Sequence, residues 1–148
     1  MKNSCVRGIV LAGIMIVHPA LAAESLKAAM TQFGLIGEWA EHCSQRPSKN
    51  NAHSHWSANS DTKGALLTDF GGGQTMRYEI DAAERDNAGH IKLQLVNLAD
   101  SAQLALLVEM RDGKTRTLSS VSRDGTALIK DGKMVATGAD TVSQERCK

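Results

Sequence analysis

Three histidines have a spacing that could create a metal site. His53 and His55 are two residues apart, and on a strand such residues point to the same face. Together with His42 they would form an open site for Zn or Cu, which imidazole binds well. The competing interpretation is that His53 and His55 lie on the solvent face of an edge strand and bind nothing. We favour that interpretation, because spacing alone seldom defines a metal site, and we expect no cofactor.

Patterns typical of enzyme active sites are missing from the sequence. It has no Gly-x-Ser-x-Gly motif, and Ser119, Ser120 and Ser122 have no assigned base. Three consecutive glycines, Gly71 to Gly73, could bind an anion, but they lack the strand–loop–helix context of a phosphate site. A turn explains them better. We therefore expect no catalytic residues.

Composition and charge exclude further classes of protein. The chain has 148 residues, 42% of them apolar and 22% charged, with a net charge of +1. This composition is typical of a globular domain, and the length suffices for one domain with its own core. A nearly neutral chain has no field to attract nucleic acid, so we expect no nucleic-acid partner.

The elements that would position these residues are mostly strands. Apolar and polar residues alternate from Met76 onwards, which is typical of strands with one buried face. Asp-Gly pairs at 112–113, 124–125 and 131–132 favour tight hairpin turns. Leu26, Ala29, Met30 and Phe33 predict a helix over 24–33, with Gly34 as its stop. Strands are predicted near 37–43, 52–58, 64–70, 74–84, 89–98, 103–111, 114–122, 126–130, 133–137 and 142–147.

Successive hairpins without long helices between them predict an all-β fold. We expect a small antiparallel up-and-down barrel of eight to ten short strands with a short N-terminal helix, because closure removes exposed strand edges. An open curved sheet or a two-sheet sandwich is the alternative. The run 115–121, rich in Thr and Ser, predicts a less apolar inner face on its strand. Inward candidates for ligand binding are Met76, Tyr78, Ile80, Leu93, Leu95 and Leu106, around a filled core or a modest apolar cavity.

The first 22 residues have the layout of a secretory signal peptide. Lys2 and Arg7 precede and flank an apolar run, and small residues at Ala20 and Ala22 predict cleavage after Ala22. The apolar run, residues 8–17, is about half the roughly 20 residues that a membrane span needs. We expect a periplasmic or secreted protein without a membrane span in its mature form. The predicted domains are a signal peptide at 1–22, a helix and lead-in at 23–36, and a barrel at 37–148.

Cleavage would change the net charge and the number of cysteines. The remaining 126 residues carry 15 basic and 16 acidic side chains and two cysteines, Cys43 and Cys147. An even pair in an exported protein indicates one disulfide bond. Two free thiols are the alternative.

The two ends of the predicted barrel carry a family resemblance. Gly37-Glu38-Trp39 follows the short helix and opens the first strand, and Arg146 ends the last. This arrangement resembles the calycin superfamily, which includes lipocalins, avidins and small secreted bacterial inhibitors of metalloproteases. The resemblance implies that Gly37 and Trp39 lie in the barrel floor, with Arg146 over the indole. Gly37 to Cys43 with Arg146-Cys147 is also similar to small exported bacterial proteins of no assigned function.

From these observations we expect a non-enzymatic role in the bacterial envelope. The partner would be a small apolar ligand held in the barrel or another envelope protein. One alternative is a secreted protease inhibitor of β-barrel type, which would present the segment 23–35 to its target as a free tail. A second alternative is a periplasmic metal-binding protein that uses His42, His53 and His55.

Overall fold

The computed structural model describes residues 24–147. Within this range no helix has the length and apolar character needed to cross a membrane, and the predicted signal peptide lies outside the described residues. The all-β prediction is confirmed. The elements are α1 (Leu26–Phe33), β1 (Gly37–Ala40), β2 (His53–Ala58), β3 (Gly64–Asp69), β4 (Thr75–Arg85), β5 (His90–Asn97), β6 (Gln103–Arg111), β7 (Lys114–Ser122), β8 (Ala127–Lys130), β9 (Lys133–Met134) and β10 (Gln144–Arg146).

Eight of these strands close into an antiparallel barrel, as predicted. Strands β1 to β7 pair in chain order, and β10 pairs with both β7 and β1. Trp39 lies opposite Arg146 across the β1–β10 pair, and Gln144 lies opposite Thr115 across β10–β7. Strands β8 and β9 extend from the far part of β7. The open sheet and the sandwich are therefore excluded.

The seam between the first and last strands carries the predicted disulfide. Cys43 and Cys147 are bonded, with their Cα atoms 5.2 Å apart and a sequence separation of 104. The backbone N–H of Cys147 also donates to the carbonyl of Glu38 at 2.7 Å. The prediction of one disulfide is confirmed, and the bond fastens the strands that complete the barrel.

Three strands are each three residues shorter in the structure than the sequence predicts. β1 ends at Ala40 rather than at residue 43, because the side chain of Asn51 accepts from the N–H of His42 (2.9 Å) and donates to its carbonyl (3.1 Å). Those groups no longer need a strand partner. β9 ends at Met134 rather than at 137, because Gly138 donates to its carbonyl in a tight turn (2.8 Å). β10 spans Gln144–Arg146 instead of 142–147.

Helix α1 begins and ends at local signals. The Ser25 hydroxyl accepts from the N–H of Ala28 at 3.2 Å, which places the start two residues later than predicted. Gly34 ends the helix with φ of 81°, a left-handed conformation that glycine adopts readily. The helix buries Leu26, Ala29 and Met30, the apolar stripe that the sequence predicts.

That stripe closes one end of the barrel. The N–H of Leu26 donates to Asp61 in the β2–β3 turn (2.9 Å), and Glu24 pairs with Arg85 at the end of β4 (2.9 Å). Gly64 lies so close to the helix that an added Cβ would meet Met30 at 3.2 Å. The helix thus packs where the β2–β3 turn and the end of β4 meet.

The half of the barrel under α1 is filled. Ile80, Ile91 and Leu93 are fully buried, and Trp39 is 2% exposed. The indole N–H of Trp39 donates to the carbonyl of Leu35 at 2.7 Å. Arg146 donates to the neighbouring carbonyl, that of Ile36, at 2.8 Å. Trp39 and Arg146 therefore both hold the lead-in between α1 and β1.

Candidate functional site

The half of the barrel away from α1 is hollow. It contains an open cavity of about 570 Å³, within the range of about 300–1,000 Å³ that is usual for small-molecule sites. Four of the six predicted ligand-binding residues line it, namely Met76, Tyr78, Leu95 and Leu106. The other two, Ile80 and Leu93, are fully buried in the filled half and are not among the lining residues.

One wall of the cavity is apolar. It comes from strands β3 to β6, whose inward residues alternate with outward residues that are mostly polar on β4 and β5 and include Leu67 on β3 and Leu107 on β6. A bulge between Ile80 and Ala82 shifts the register of β4 against β5. The aliphatic lining residues of this wall are Leu66, Leu95, Leu104, Leu106 and Val108.

The opposite wall is lined with hydroxyl groups. Thr115, Thr117 and Ser120 face inward from β7. Thr115 and Ser120 are each 4% exposed, yet no described residue hydrogen-bonds to their hydroxyls. Among the described residues, every buried side-chain nitrogen or oxygen atom has a hydrogen-bond partner. These two unpartnered hydroxyl oxygens are therefore accessible, and they face the cavity. The predicted less apolar inner face of this strand is therefore present.

The polar wall continues onto β10 and β2. The Gln144 amide nitrogen donates to the carbonyl of Ala52 at 3.2 Å and to the hydroxyl of Ser54 at 3.4 Å. Both Gln144 and Ser54 line the cavity. The amide oxygen of Gln144 has no partner among the described residues, so the wall offers an acceptor beside the hydroxyls of β7.

Besides Thr68 on β3, Tyr78 adds a hydroxyl to the apolar wall. Burial raises the pKa of its phenol, and the negative charge of Asp100 acts in the same direction. The side chain is therefore a neutral hydrogen-bond donor at physiological pH. No described residue accepts from it, so the phenol is available to a molecule in the cavity.

The mouth of the cavity is rimmed by exposed apolar side chains. Met76 is 39% exposed, Leu128 46%, Met134 41% and Val142 52%, and all four also line the cavity. Large apolar groups in water are unfavourable, and a contiguous group of them marks a binding surface more often than a scattered set does. The rim therefore connects the apolar interior to solvent through an apolar entrance.

One side of the entrance is built by residues 127–143, which we name the portal segment. β7 is paired with β10 at Thr115 and with β8 from Ser120. The backbone groups of β7 between these two positions have no strand partner on that side. The portal segment satisfies two of these: Gly132 N–H donates to Leu118 O, and the Thr141 hydroxyl donates to Thr117 O, both at 2.8 Å. The segment thus replaces a strand along this edge.

Only two of the lining residues are charged, and they face each other. Arg116 lies 3.5 Å from Asp140 and also donates to Gly132 O at 3.0 Å. Asp140 accepts from Lys133 at 2.9 Å, and this hydrogen bond, with the charges of Lys133 and Arg116, lowers the pKa of Asp140. The cavity wall therefore carries no uncompensated charge.

The histidines do not come together as a metal site. The Nδ1 of His53 lies 2.8 Å from a Glu38 oxygen, and its Nε2 lies 3.0 Å from Gln45 O and 3.3 Å from the amide nitrogen of Asn51. His55 is exposed on the outer face of β2, and the side chain of His42 is half exposed beside Glu41. Within residues 24–147 no group of three His, Cys, Asp or Glu side chains is placed to hold a metal ion.

The sequence left open whether the barrel has a filled core or a modest apolar cavity, and it did not predict two features of the site. These are the unpartnered hydroxyls of β7 and the role of residues 127–143 at the entrance. The Thr and Ser content of 115–121 was a signal for the first. Comparison with protein-family models, curated proteins and solved structures finds no match, so the geometry alone supports a functional proposal.

Proposed function

We propose that this protein is an exported binding protein that holds a small, mainly apolar molecule in the open half of its barrel. The observation that carries the proposal is the apolar rim at the entrance of a cavity of about 570 Å³. A molecule that covers Met76, Leu128, Met134 and Val142 while filling the cavity would remove apolar surface from water on both sides. Such burial contributes about 25 cal/mol per Å².

Export and the calycin-like character of the barrel belong to the same proposal. The predicted signal peptide and the Cys43–Cys147 bond suit an oxidising compartment. Closure by eight strands, a helix over one end and the pairing of Trp39 with Arg146 support the resemblance to the calycin superfamily. A barrel of this size can hold one small ligand in its open end.

The protease-inhibitor alternative gains no support from the N-terminal segment. It requires a free tail over 23–35, but Leu26, Met30 and Leu35 are buried against the barrel. Glu24 is engaged with Arg85. The described part of this segment is therefore built into the fold.

A fluorescence titration with a neutral naphthylamine dye tests the proposal. Leu106→Trp places a larger side chain in the cavity, and Leu107→Trp makes the same change on the opposite face of the same strand. We expect saturable dye binding by the wild type and by Leu107→Trp, and loss of binding by Leu106→Trp. Circular dichroism checks that all three proteins are folded. No saturable binding by the folded wild type, or equal binding by both variants, would contradict the proposal.

A further inference from the structure

We infer that the ligand is an uncharged amphiphile, with an aliphatic body and one hydroxyl, ester or amide group that bonds to the hydroxyls of β7. This inference rests on the proposed function and specifies the chemistry of its ligand. It follows from three observations: the two unlike walls of the cavity, the unpartnered hydroxyls, and the absence of a free charge among the lining residues.

The polar wall on β7 lies across the barrel from the part of the apolar wall on β3 and β4, while β6 adjoins β7. In the strand order β10-β1-β2-β3-β4-β5-β6-β7, strand β7 is three positions from β4 on one side and five on the other. The apolar wall of β3 to β6 includes Leu66 and Leu95, and the polar wall of β7 includes Thr115 and Ser120. A molecule with one polar group and an aliphatic remainder matches both walls. A pure hydrocarbon would leave the hydroxyls unpaired.

The hydroxyls of the polar wall lack protein partners although their residues are buried. Thr115 and Ser120 are 96% buried, and no described residue bonds to their hydroxyl groups. A ligand that excludes water from these hydroxyls without bonding to them leaves a costly unmade hydrogen bond. Each hydroxyl can donate one bond and accept others. An alcohol, ester or amide supplies the complementary groups without bringing a charge into the barrel.

The charges at the wall disfavour an ionised ligand. Arg116 is engaged with Asp140, Gly132 O and Thr141, and Asp140 is engaged with Lys133 as well. A carboxylate entering the cavity would lose its hydration without gaining a free cation, and an ammonium would find no free carboxylate. Burial of an uncompensated charge is strongly unfavourable. The structure thus selects against both ionic forms of an otherwise identical aliphatic molecule.

Three decyl compounds of equal chain length distinguish these forms. 1-Decanol, decanoate and decylammonium are titrated at pH 8 into the full-length exported protein loaded with the neutral naphthylamine dye. We expect decanol to displace the dye at a concentration at least tenfold lower than either ion. Displacement by decanoate or decylammonium at an equal or lower concentration overturns the inference, while dye binding itself still supports the proposed function. If neither dye nor any decyl compound binds, the proposed function fails as well.

A double variant locates the polar group of the ligand. Thr115→Val with Ser120→Ala removes two hydroxyls and nearly preserves the shape of the wall, and Ser119→Ala is the matched control on the outer face of β7. We expect the double variant to bind decanol about tenfold more weakly, as the loss of one to two hydrogen bonds predicts, and Ser119→Ala to bind decanol as the wild type does. Unchanged decanol affinity in a double variant that still binds the dye overturns the inference. If the double variant does not fold, the comparison of decyl compounds on the wild type decides.

Discussion

Removal of the Cys43–Cys147 disulfide acts on the seam that closes the barrel. β10 pairs with β1 through two residue pairs and with β7 through two, whereas β3 and β4 share six. The backbone bond from residue 147 to Glu38 O lies at the same place. The perturbation is the double substitution Cys43→Ala with Cys147→Ala, compared with reduction of the wild type.

The size of the effect follows from the length of the closed loop. The two cysteines are 104 residues apart, and in the chain-entropy description a loop of this length stabilises the folded state by about 4.7 kcal/mol. Domains are typically stable by about 5–15 kcal/mol. The double variant should therefore lose a third or more of its free energy of unfolding, and its Tm should fall by roughly 15 °C for a chain of this size.

Urea unfolding followed by tryptophan fluorescence and circular dichroism measures the loss. We expect the reduced wild type and the double variant to be destabilised equally, by about 4–5 kcal/mol. Native-state hydrogen exchange should show earlier loss of protection at the amide of residue 147 than in β3 to β6. A destabilisation below about 1 kcal/mol would refute the reasoning, since the bond would then not constrain the unfolded chain as its loop length requires.

Two further predictions concern the cavity and its portal segment. Tyr78 is the single tyrosine, so ultraviolet titration should show a phenolate that forms above pH 10 in the folded protein and near pH 10 in urea. The free energy of unfolding should fall as the pH rises above about 10, because the unfolded chain releases that proton first. A phenol that titrates in the folded protein at or below its pH in urea would contradict this prediction. Gly132 and Gly125 both have positive φ, but only a Cβ on Gly132 would contact the Arg116 guanidinium, while one on Gly125 meets nothing within 4 Å. Gly125→Ala should lower the free energy of unfolding by about 1 kcal/mol, and Gly132→Ala should lower it clearly more in the same urea assay. Equal losses in the two variants would show that the contact with Arg116 does not stabilise the portal segment.

The strands were predictable because their signals are local. Tyr78 and Ile80, which alternate with polar neighbours, lie on the buried face of β4, and the Asp-Gly pairs lie at turns with positive φ. Closure was predictable for a different reason. The disulfide and the calycin-like pattern both required the first and last strands to be neighbours.

The sequence could not decide between a filled core and an apolar cavity, because inward residues look alike whether they touch one another or line a space. Leu93 and Leu95 both alternate correctly on β5, but only Leu95 borders the cavity. The difference comes from α1, which fills one end and leaves the other open. Similarly, Asn51 reorganises residues 42–51 through contacts within a polar loop, and nothing in the loop composition distinguishes it from its neighbours.

The central claim, an apolar molecule inside the open half of the barrel, is tested most directly by quenching of tryptophan fluorescence with a brominated straight-chain alcohol. Trp56 lines the cavity, whereas Trp39 is buried outside it. We predict saturable quenching in the wild type and none in Trp56→Phe, in which the emission of Trp39 remains. Absence of saturable quenching in the wild type, or equal quenching of Trp39 in the variant, would contradict the account.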